Sequence, residues 1–148
     1  MADDTPALLR QVESIAALGA LRGWIDEKEQ AFVMDFETGG YRSQRVLVRV
    51  FSLGPGGKAM ISIQSPARFI ATRWFKRLSR GEALRLLHEN ESLRFARYGL
   101  VSTPRGMVVM VSCDLMLETL DAEELRVHAY AVANAADRYE AQFGGDQF

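Results

Sequence analysis

The chain has 148 residues, 48% of them hydrophobic and 25% charged, and a net charge of −1. That composition fits one globular domain, and a dedicated nucleic-acid binder would more often be basic overall. The single cysteine, Cys113, excludes an internal disulfide.

No apolar run reaches the roughly 20 residues of a membrane-spanning helix, and no cationic stretch followed by an apolar one opens the sequence. A cytoplasmic protein without membrane contact is therefore expected. The charge is unevenly spread: residues 66–105 hold nine Lys/Arg against three Asp/Glu, and residues 106–148 hold two against eight. Opposed blocks of this kind can attract each other within a fold or between subunits.

Taken in chain order, Thr5-Pro6 reads as a cap with proline in the first turn, and Leu8, Val12, Ile15 and Leu18 recur at helical spacing up to Gly23 as a stop. A helix is predicted over about 5–22. Three alternating runs follow. "AFVMDFET" sets Phe32, Met34 and Phe36 on one face, and "QRVLVRVFSL" sets Val46, Val48 and Val50 against Arg45, Leu47, Arg49 and Phe51. "KAMISIQS" sets Ala59, Ile61 and Ile63 against Met60, Ser62 and Gln64. With "GGYRS" and "GPGG" between them, they predict an antiparallel meander.

Residues 66–78, "PARFIATRWFKRL", fit either a helix or a strand. Ser79 and Glu82 form a capping box that opens a helix through Leu84 and Leu87 to about Asn90. "SLRFARYGLV" and "GMVVMVSCDLML" then pair around "STPRG", and Asp121 with Glu124 starts a helix that runs to Phe143. The fold class is α+β, one antiparallel sheet flanked by helices in the order α-βββ-α-ββ-α, in a single domain spanning 1–148.

Chemistry-bearing motifs are sparse. In "VANAADRYEA" the stripe Leu125, Ala129, Val132, Ala136, Tyr139 and Phe143 faces inward, so Asp137, Arg138 and Glu140 are expected toward water or a groove edge. His88 has no second histidine at the spacing a helical metal site needs, and reads as a helix-end residue. His128 reads as a partly buried packing residue and Cys113 as a buried, inert thiol. No cofactor and no catalytic residues are expected.

Two surfaces remain as candidates. Leu47, Phe51 and Met60 fall on the outer sheet face if the valines face the helices, and apolar groups there suit a protein partner. Phe69, Ile70, Trp74 and Phe75 are too many large apolar groups for a short monomeric surface segment and form a candidate dimer interface. Arg68, Arg73, Lys76, Arg77 and Arg80, interleaved with those aromatics, offer an alternative nucleic-acid platform.

The runs "LLHENESLRFARYGL", "GMVVMVSCDLML" and "LDAEELRVHAYAVANAADRYEAQF" resemble the C-terminal half of YbjN-like proteins, bacterial proteins with the plan of class I type III secretion chaperones. The likeness rests on the leucine-rich helix ending in Asn90, on Arg94, Phe95 and Tyr98 entering the next strand, and on Ala136-Asp137 in the closing helix. It implies a small homodimeric α+β domain without catalytic residues that binds other proteins.

Overall fold

The computed structural model describes residues 4–54, 57–71 and 78–143. Alternation in the sequence becomes a six-stranded, wholly antiparallel sheet. Its strands are β1 (Trp24–Asp26), β2 (Ala31–Glu37), β3 (Ser43–Ser52), β4 (Ala59–Ala71), β5 (Arg97–Thr103) and β6 (Gly106–Met116), and the helices are α1 (Thr5–Leu18), α2 (Arg80–Ser92) and α3 (Ala122–Glu140). Spatially the strands run β1-β2-β3-β4-β6-β5. The order is thus α-ββββ-α-ββ-α, with β1 added to the predicted plan.

Val46, Val48, Ile61, Ile63, Val109 and Val111 fill the inner face and are fully buried. Against them α3 sets Leu125, Ala129, Val132, Ala136 and Tyr139, also fully buried. The one-sided alternation of β3 is the expected signature of an antiparallel sheet with one face covered. Helix α1 packs beside α3 on β1, β2 and β3, and α2 packs on β5.

Local chemistry sets the element ends. The capping box at α2 forms as expected: Ser79 Oγ accepts from the Glu82 N–H at 3.1 Å, and the Glu82 carboxylate accepts from the Ser79 N–H at 3.0 Å. Asp121 caps α3 by accepting from the Glu124 N–H at 2.7 Å. Helix α1 departs from expectation at both ends. Its cap residue is Asp4, without a side-chain bond, and it stops at Leu18 rather than at Gly23. Its buried residues are Leu9, Val12 and Ala16, while Leu18 is exposed. Gly23 serves a different purpose: a Cβ there would lie 2.4 Å from the Val33 carbonyl oxygen and 2.6 Å from the Phe32 ring.

The ambiguous segment resolves as strand as far as Ala71, with a bulge between Pro66 and Arg68. A bulge adds one residue to one side of the ladder and reverses the faces beyond it. Gln44, fully buried, spans this break. Its Nε2 donates to Ser65 Oγ at 2.9 Å and to the Pro66 carbonyl at 2.7 Å.

Candidate partner-binding face

The helices cover the inner face, so the outer residues of β3, β4 and β6 decide what the other side presents. Phe51 stands opposite Met60, and Met60 opposite Met116, in one row across three strands. Phe51 is 43% exposed, Met116 is also exposed and Met60 is half-buried. Cross-strand neighbours on one face lie about 4.5–5.5 Å apart at Cβ, so the three side chains form one apolar patch.

Two of the three sequence candidates are therefore brought together. Leu47 is not. It pairs with Val33 and Gln64 and is separated from Phe51 by the Arg49–Ser62 row. Met116 was missed, although the phase of Val109, Val111 and Cys113 places it on the outer face by simple alternation.

The two arginines of β3 on this face are engaged. Arg45 holds Asp35 through Nε at 2.8 Å and Nη2 at 3.1 Å, with its guanidinium 5.5 Å from the Trp24 ring centroid. That hydrogen bond raises the Arg45 pKa above its ordinary value, against a smaller opposing effect of burial. Arg49 donates to the Glu29 carboxylate at 3.1 Å and to its backbone carbonyl. The Phe51 end is left apolar and open.

The described residues of the basic, aromatic stretch, Arg68, Phe69, Ile70 and Arg80, do not share one surface. Beyond the bulge Arg68 turns inward, where it bonds Glu82 at 3.0 Å and lies 3.7 Å from the Phe143 ring centroid. The Glu82 carboxyl is held below its usual range, first by the Ser79 backbone N–H and then by Arg68. Arg68 is therefore not available to a phosphate. Ile70 is also corrected: it is buried in the subunit's own core, because the shifted phase turns it to the inner face. Phe69 stands outward and exposed opposite Val108. Arg80 is exposed at the start of α2. Arg73, Trp74, Phe75, Lys76 and Arg77 lie outside the described residues.

The closing helix needs one correction as well. Arg42, from the β2–β3 turn, donates through Nε to Asp137 at 2.7 Å and approaches Glu140 at 4.0 Å. Glu140 is only 2% exposed. The turn folds over this side of α3, so Glu140 faces Arg42 rather than water, the first of the two settings, water or a groove edge, that the helical pattern allows.

The titratable groups sit apart from the apolar patch. His88 is exposed, 3.5 Å from Glu91. His128 Nδ1 lies 2.8 Å from the Glu124 carbonyl, and its ring meets the Phe95 ring edge-on at 5.0 Å. His128 and Cys113 line a polar cavity of about 410 Å³ with Arg94, Arg97 and Asp114. Burial pushes the Cys113 thiol up to about 12, with Asp114 adding to it. The thiolate is the reactive form, so Cys113 is unreactive near neutrality.

Two outcomes follow for Cys113. A disulfide reagent at pH 8 should modify it slowly in the folded protein and rapidly in urea; equal rates would contradict its burial. Stability linked to this thiol should fall as pH rises from about 9 toward 12, because the unfolded chain releases the proton first. Urea titrations of wild type and Cys113→Ala across that range check the slope.

Among the described residues no group of three or more His, Cys, Asp or Glu could hold a metal ion, and no helix is long and apolar enough to cross a membrane. Comparison with protein-family models returns no match, and neither does comparison with curated proteins.

Proposed function

We propose that this chain is a non-enzymatic protein-binding module of chaperone or adaptor type, working in the cytoplasm as a homodimer that holds a protein client on its outer sheet face. The observation that carries this reading is the row Phe51–Met60–Met116, an apolar patch on a face where Arg45 and Arg49 of β3 are tied up by Asp35 and Glu29. An aromatic and two methionines suit such a role, since thioether side chains adapt their shape to different partners. The resemblance of residues 86–143 to YbjN-like proteins points the same way.

The test is capture from the native host. Phe51→Ser, Met60→Gln and Met116→Gln together should remove a protein that the wild type enriches, and the purified protein should bind wild type but not the triple variant in calorimetry. Unchanged thermal unfolding of the variant would show that the fold survives. Equal binding by both would place the client elsewhere.

A further inference from the structure

Strand β5 stops short of its neighbour. It pairs with β6 only as far as Arg97 opposite Ser112, while β6 continues along β4 to Met116. Cys113, Asp114 and Leu115 therefore have no strand beside them on the β5 side, and the polar cavity of about 410 Å³ opens against this bare stretch. Cavities that hold small molecules begin at about 300 Å³. The segment between α2 and β5 lines it as well, through Arg94 and Phe95.

The walls are fixed, and the charges on them are not spent on one another. Asn90 pins the segment at both Tyr98 backbone groups: Oδ1 accepts from the N–H at 2.6 Å and Nδ2 donates to the carbonyl at 3.1 Å. Arg94 and Arg97 are exposed and have no hydrogen-bond or ion-pair partner among the described residues. Asp114 lines the same space without pairing to either. Elsewhere in this chain neighbouring opposite charges do join, as Arg45 with Asp35 and Arg126 with Glu123. His128 Nδ1 lies 2.8 Å from the Glu124 carbonyl; a carbonyl only accepts, so Nδ1 carries the proton and Nε2 is left as an acceptor.

We propose that this cavity binds a small phosphate monoester bearing hydroxyl groups. Guanidinium groups present paired N–H donors that match phosphate oxygens, and two of them balance a dianion. Asp114 and neutral His128 supply acceptors, so the rest of the ligand must donate, as hydroxyls do. A nucleic-acid strand would instead need cations continuing along its backbone, and Asp114 interrupts them here. The inference rests neither on the client face nor on the homodimer.

An NMR titration at low salt with glycerophosphate and with inorganic phosphate tests it. Glycerophosphate should shift the amides of Arg94, Arg97 and Asp114 and the His128 ring, with a Kd of about 1 mM or tighter. Inorganic phosphate should bind several-fold more weakly. Arg94→Gln and Arg97→Gln should each weaken glycerophosphate binding by about tenfold, the loss of one charge-assisted contact. Asp114→Asn should narrow the gap between the two probes, because it eases the approach of the bare anion and weakens the hydroxyl contact. Both arginine variants should unfold at the wild-type temperature, since neither side chain supports the fold. No shifts at these residues, or equal affinity in wild type and both arginine variants, would overturn the site. Inorganic phosphate bound as tightly as glycerophosphate would overturn the hydroxyl-bearing ligand. A single-stranded oligonucleotide bound more tightly than either probe, and lost in the arginine variants, would overturn the small molecule in favour of nucleic acid.

Discussion

Replacing Tyr139 with alanine should cost about 3–5 kcal/mol of folding stability, in the range measured for removing a buried aromatic ring. Tyr139 is fully buried near the C-terminal end of α3, with its ring centroid 5.5 Å from Tyr98 and 5.0 Å from Phe143. The Tyr98 hydroxyl donates to the Ala135 carbonyl at 3.1 Å, so edge strand and helix meet at this point. Neither side can collapse easily into the space the ring would leave. For a domain of this size each kcal/mol lowers Tm by roughly 2–4 °C, giving a fall of about 10 °C. Tyr139→Phe keeps the ring and should lose under about 1.5 kcal/mol. Urea denaturation of the three proteins decides the matter. An alanine variant within about 1 kcal/mol of wild type would mean that the surrounding helix and strand close up freely.

Gly23→Ala is the second large effect, about 3 kcal/mol of destabilisation from a single added methyl group. Its Cβ would meet the Val33 carbonyl oxygen and the Phe32 ring, both well inside contact distance. The carbonyl is fixed backbone in β2, so relief requires moving β1 away from its neighbour. Overfilling a packed site typically costs 1–3 kcal/mol. The control is Gly99→Ala on the edge strand, where an added Cβ meets nothing within 4 Å. That change should be neutral or stabilise by up to about 1 kcal/mol, since glycine weakens a strand interior. Thermal unfolding of both variants gives the comparison, and similar losses at both positions would contradict the close approach at Gly23.

Gly23 also shows where the sequence is legible and where it is not. The three long helices and the main strands are readable because their burial is one-sided and their caps use local chemistry. Ser79 with Glu82, and Asp121 with Glu124, act within four residues and are visible in any short window. Glycine at position 23 is ambiguous, because it can end a helix or admit a neighbouring strand. Only the position of Val33, ten residues on, decides between them.

The other misreadings have the same origin in distant or non-periodic contacts. Strand β1 has three residues, too few for alternation to register. The bulge after Pro66 inverts a pattern that is regular up to that point, so alternation carried on from Ile61 and Ile63 does not place Arg68, Phe69 and Ile70. Glu140 lies off the apolar stripe of its helix and is buried by a turn about a hundred residues earlier. For the partner-binding face, Phe51 and Met60 are readable from alternation alone. Their separation from Leu47 and their union with Met116 depend on strand register, which short windows do not contain.

The position of α3 in the chain bears on how the protein folds as it is made. All strand neighbours are consecutive in sequence except β4 and β6, which are joined across α2 and β5. A nascent chain can therefore zip up the β1–β4 meander early, whereas the longest seam of the sheet must wait for the loop between Ala71 and Gly106 to close. Helix α3, which spans β3, β4 and β6, follows every strand it covers. Until it emerges, the part of the valine and isoleucine face that α1 does not cover, on β4 and β6, is complete but bare, a state prone to aggregation. Slowing translation at codons before residue 121 would prolong that state, so the yield of soluble protein should depend on how quickly the ribosome delivers the final helix.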